Sequence, residues 1–204
     1  MAKTLLPAFV NCPNEGIRVG SILAGYGELE LELCACVSAA TGDLDAAIKS
    51  LFGIRGAEQR IKQANALALE RYVEAGLDAP FRKVLNDLDW CRELRNQYAH
   101  CQWYYTEREG LCFVDLEETA KQVAKIESLV EYRNALPLLL LEQQEAFFVY
   151  VRRGFWYLAE AYQRWNQMRQ SPHKQLRDPI FPLPNKTARP PKHGTGFLSS
   201  DSSD

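Results

Sequence analysis

Gly27-Glu28-Leu29-Glu30-Leu31-Glu32-Leu33 alternates apolar and charged residues as a half-buried strand would. The Glu and Leu residues of this run are good helix formers, and a longer period runs through them. Val19, Ile22, Leu23, Tyr26, Leu29, Leu33, Cys36 and Val37 recur at steps of three and four, so the spacing predicts a helix from Gly16. Outward from it, Thr41-Gly42-Asp43 breaks the pattern, and Asp43 is suited to cap a second helix running to about Leu51. Gly53 and Gly56 bracket a turn, and a third helix is expected over 57–75, stopped by Gly76. A fourth begins near Asp78, read as its cap, and Pro80. It carries Phe81, Val84, Leu85, Leu88, Cys91, Leu94 and Tyr98 on one side and should end around His100 to Trp103. Aromatic and β-branched residues on either side of Gly110 predict a short β-hairpin near 102–115. Residues 117–132 read as another helix with weaker periodicity.

The last helix is expected from 134–137 to about Arg169. Leu141, Phe148, Phe155 and Tyr162 are spaced by seven, as are Val151, Leu158 and Trp165. That seam suits either the chain's own core or a partner subunit. The fold class is therefore all-α: a bundle of about five to six helices over 16–170 with a hairpin insertion. Residues 1–15, with Pro7 and Pro13, read as an irregular arm. Residues 171–204 hold six of the ten prolines and read as a disordered, basic tail.

Composition narrows the function. The 204 residues are 47% hydrophobic and 25% charged, as in a globular protein, not a disordered one. Lys plus Arg number 24 against 26 Asp plus Glu, net −2. A globally basic nucleic-acid binder is disfavoured, while a local basic site is not. No apolar run approaches the ~20 residues of a membrane span and no signal peptide is evident, so a cytoplasmic protein without membrane association is expected. The six cysteines are expected as free thiols, and Cys34-x-Cys36 lacks the spacing and second half of a zinc site, so no metal is assigned.

Chemistry concentrates in Arg92-Glu-Leu-Arg-Asn-Gln-Tyr-Ala-His-Cys-Gln-Trp103. Asn96 and His100 are four apart and share a helix face, while Arg95 lies about 140° from His100 but is long enough to swing toward Asn96. A fixed cation, an amide and an imidazole suit phosphodiester chemistry. The imidazole exchanges protons near neutral pH, and the guanidinium grips phosphate with two N–H groups. RNA brings its own nucleophile, the 2′-hydroxyl. The blander reading makes His100 a helix C-terminal histidine bonded to backbone. Arg92, placed for a supporting RNA contact, pairs equally well with a neighbouring acid. Tyr104, with Trp103 and Tyr105, stacks on bases or packs the hairpin. Tyr98 falls on the apolar face. Glu28, Glu30 and Glu32, and likewise Asp87 and Asp89, read as solvated faces.

The run Arg95-Asn96-Gln97-Tyr98-Ala99-His100 resembles the signature of the HEPN superfamily, Arg followed by a polar residue and, after four to six residues, His. The resemblance implies a helical bundle that dimerises and brings two motifs to one cleft. It implies a metal-independent endoribonuclease without cofactor, with Arg95, Asn96 and His100 in the active site, leaving a 2′,3′-cyclic phosphate. Many members serve in toxin–antitoxin or phage-defence systems, which implies RNA and an antitoxin as partners. A non-catalytic HEPN-like module binding nucleotide, RNA or protein is the alternative. Members paired with nucleotidyltransferase antitoxins often have Tyr two residues after the His. Gln102 stands there, so the resemblance stops short of that subtype. Of the three histidines, His173 and His193 fall in the tail, which favours a second His100 from a twin chain.

Overall fold

The computed structural model describes residues 6–122, 125–170, 182, 184 and 187–193. Seven α-helices stand among them: α1 (Pro7–Asn11), α2 (Pro13–Thr41), α3 (Leu44–Phe52), α4 (Ala57–Glu74), α5 (Asp78–Ala99), α6 (Leu116–Gln122) and α7 (Leu138–Gln170). A 3-10 turn covers Leu129–Tyr132, and three strands, β1 (Cys101–Thr106), β2 (Gly110–Asp115) and β3 (Asn134–Ala135), form an antiparallel sheet in that order. The protein is thus helix-dominated, with a small sheet where a two-stranded hairpin was expected.

Gly27–Leu33 is helical, as its longer period predicts. Asp43 caps α3 by accepting from the Ala46 N–H at 2.9 Å, and Gly76 ends the α4 turn at φ +70°. Asp78 is the first residue of α5, not its cap. Residues 7–15 are not irregular: Pro7 and Pro13 each open a helix, where their fixed φ is an asset and their missing N–H costs nothing. The single helix expected over 117–132 is two short pieces, because that stretch has no sustained apolar face to bury; Lys125 and Glu127 between them are exposed.

The chain divides into two compact units. The first comprises Met1–Ala24, Leu94–Phe147 and Ala188–Asp204. Its β1–β2 register sets Trp103 opposite Phe113 and Tyr104 opposite Cys112. Trp103 packs on Phe9, Tyr98 and Phe113, with ring centroids 5.1, 5.6 and 5.9 Å away. Across the hairpin turn, Arg133 Nε donates to Glu109 at 2.6 Å. A buried polar knot closes this unit: Tyr98 Oη donates to Gln144 Oε1 at 2.6 Å, and Gln144 Nε2 donates to the Pro191 carbonyl at 2.8 Å and the Lys192 carbonyl at 3.3 Å. Around 191–192 the tail is therefore not a free arm. His193 lies among the described residues too, so His100 is not the one histidine of the folded part. His173 and the other tail prolines expected in disordered chain, save 182, 184, 190 and 191, lie outside the described residues.

The second unit comprises Gly25–Glu93 and Phe148–Thr187. Tyr72 stacks on Phe81 with centroids 4.3 Å apart and meets the edge of Tyr162. Its hydroxyl donates to the Cys36 carbonyl at 3.0 Å, while Cys36 Sγ donates to the Phe155 carbonyl at 3.1 Å. Glu30 pairs with Arg60, and Glu28 and Glu32 pair with Arg152. Asp87 is buried and held by Lys83. Glu30, Glu32 and Asp87 are internal ties rather than the solvated faces expected of them, because each meets a long basic side chain from its own or a neighbouring helix, whereas Glu28 is exposed as expected.

Candidate functional site at the end of α5

Helix α5 stops at Ala99, one residue before the motif histidine. The His100 N–H still bonds back to the Asn96 carbonyl at 3.1 Å and the Gln97 carbonyl at 3.3 Å, closing the last turn. Beyond it, Trp103 to Thr106 are β-formers and pair with β2, so the chain leaves the helix as a strand. The inner side of this last turn is pinned. Tyr98 is buried and tied to Gln144, and Gln97 Nε2 donates to Asp115 Oδ2 at 3.2 Å. Asp115 in turn accepts from the Glu118 N–H and starts α6.

The other side carries the candidate groups. Arg95 and Asn96 are half-buried, and Arg95 Nη1 donates to Asn96 Oδ1 at 3.1 Å. That contact uses the acceptor of the carboxamide and leaves its N–H donors, with most of the guanidinium fork, without a hydrogen bond to any described residue. The His100 imidazole is exposed and makes no hydrogen bond or ion pair with Arg95 or Asn96. Three members of the motif thus share one helix end, with two of them in contact.

The supporting residues fare differently. Arg92 belongs to the second unit, where its Nε donates to Asp89 at 2.7 Å and Glu93 stands at 3.6 Å. Its charge is already matched by acids. Tyr104 is half-buried on β1, on the face of the strand opposite to Trp103. Trp103 serves packing.

No family model, no curated protein and no solved structure matches this chain.

The chemistry of the site therefore rests on its own side chains. Burial pushes the Cys101 thiol up to about 12, and burial with the Glu109 charge pushes Cys112 up to about 11. Neither is a thiolate nucleophile at neutral pH. Among the described residues no group of three or more His, Cys, Asp or Glu is placed to hold a metal ion, and no helix is long and apolar enough to cross a membrane. The arrangement offers a guanidinium and an amide for an oxyanion and an imidazole for a proton. Two residues that pin it, Gln97 and Gln144, escaped the sequence reading. Gln144 did carry a signal, since it lies three residues after Leu141 on the apolar side of α7.

Proposed function

We propose that this chain is a HEPN-like endoribonuclease. The observation that carries the reading is the Arg95–Asn96 hydrogen bond at a pinned helix end, one turn from the exposed His100. Arg95 and Asn96 hold the scissile phosphodiester by its non-bridging oxygens and offset the charge of the pentacoordinate transition state. His100 takes the proton of the 2′-hydroxyl as that oxygen attacks phosphorus. The bond to the 5′-oxygen breaks, and the leaving oxygen takes a proton from a second imidazole. The products are a 2′,3′-cyclic phosphate and a 5′-hydroxyl, with no metal step. A homodimer with two His100 supplies the acid and the base together. Tyr104 is the residue for base stacking, and Arg92, already paired, is at most a long-range contributor. A cytoplasmic toxin held by an antitoxin, or a phage-defence nuclease, is the setting such chemistry fits.

Purified protein should cleave RNA to 2′,3′-cyclic ends, run at twice the 23.2 kDa chain mass, and lose about 10²–10⁴ of its rate in His100→Ala or Arg95→Ala. Undiminished cleavage by both variants sinks the mechanism. The lack of a hydrogen bond between the imidazole and the Arg95–Asn96 pair favours one second reading, a non-catalytic RNA- or nucleotide-binding module. RNA bound but left intact by the wild-type dimer would select it.

A further inference from the structure

The second unit contains a cavity of about 360 Å³ lined by α4 and α5, which residues 75–77 join. That size lies within the range of small-molecule pockets. Each helix lines it with residues at i, i+3, i+4 and i+7, a spacing that keeps one face turned to the groove. The apolar part of the lining is Ile61 from α4 and Leu85 from α5.

The charges in the cavity are not equivalent. Lys62 is held by Glu58 at 2.5 Å, and Asp89 is held by Arg92 at 2.7 Å. Arg82 makes no hydrogen bond or ion pair with any described residue, and neither do the Asn65 and Asn86 carboxamides. Asn86 is one helical turn from Arg82, and Asn65 faces them from α4. The cavity therefore presents one uncompensated guanidinium, two unengaged amides and an apolar surface beside them. A planar guanidinium matches the two oxygens of a carboxylate or phosphate, and carboxamide N–H groups add donors to the same anion.

We propose that this cavity binds a small organic anion, a carboxylate or phosphate carried on a body with an apolar face, with Arg82 as the anion anchor and Ile61 and Leu85 against the body. The inference is independent of the ribonuclease reading, because none of its residues belongs to the Arg95–His100 motif.

Benzoate and phenyl phosphate are suitable probes, titrated into the full chain by calorimetry and by ¹⁵N-resolved NMR of the asparagine side-chain amides. At least one should bind with a Kd of about 1 mM or tighter, and the stronger of the two identifies the headgroup. Acetate and inorganic phosphate, lacking the apolar body, should bind about tenfold more weakly. The Asn65 and Asn86 amide signals should shift on saturation. Arg82→Ala should weaken binding at least tenfold, with Arg82→Gln as the substitute if the alanine variant loses helical content. His100→Ala should bind as the wild type does. Absence of binding by both probes, unmoved Asn65 and Asn86 signals, or equal affinity in the Arg82 variant overturns the proposal.

Discussion

Tyr26 and Tyr72 are both buried in the second unit, yet only one hydroxyl has a partner. Tyr72 Oη donates to the Cys36 carbonyl, whereas Tyr26 Oη is buried without a hydrogen bond. Burial raises the pKa of both phenols above the ordinary tyrosine value. Tyr72→Phe should therefore cost about 1 kcal/mol, while Tyr26→Phe, which removes an unmatched polar atom, should leave stability unchanged or raise it by up to about 1 kcal/mol. Urea midpoints of the two variants check the contrast, and equal losses would refute it. Glu109 supplies a pH signature. The Arg133 hydrogen bonds hold its carboxyl below the usual glutamate range. The unfolded chain binds that proton first, so the contribution is complete above about pH 4.3 and is lost as pH falls through the lower folded value. Thermal melts of Glu109→Gln against wild type should converge as acid is added. At this scale the sequence speaks well for Tyr98, whose place on the apolar face matches its burial. It is silent on the orphaned Tyr26 hydroxyl and on the partners of Asp87, because periodicity reports which side is buried and not which atoms meet there.

Helix α7 shows the same limit over a longer span. Its heptad seam is legible: Leu141, Phe148, Val151, Phe155, Leu158 and Tyr162 are all buried. What covers these six is the chain itself, while Trp165, the remaining seam residue, is half-buried. A Cβ built on Gly154 of α7 would lie 2.7 Å from Val84 Cγ2 of α5. Gly154→Ala should cost about 1–3 kcal/mol through overpacking, and Val84→Ala in the same chain should recover part of it. Strict additivity of the two changes in denaturation would show that the helices do not meet closely at this point. The strand-like alternation of Gly27–Leu33 yields to helix because the flanking residues keep the 3.6 period. The opposite error, an irregular arm where Pro7–Asn11 and the start of α2 are helical, comes from reading proline as a breaker where it stands at a helix start.

For the whole molecule, the motif at 95–100 was legible as a spacing, and the structure adds the Arg95–Asn96 bond and the pinned turn beneath it. The contributions of Gln144 and the 191–192 carbonyls were illegible, since nothing local in sequence links residues some fifty positions apart. A chain cut after Gln170 should lose about 1–3 kcal/mol from the first unit, because the buried Gln144 amide would be stripped of its acceptors. An unchanged urea midpoint would show that those carbonyls are dispensable. The same knot has a bearing on synthesis at the ribosome. Translation delivers residues 188–193 long after Gln144, so the first unit waits with an unmatched amide while residues 25–187 already hold everything the second unit is made of. The last turn of α5 is therefore consolidated only once residues 191–192 have been made and have reached Gln144.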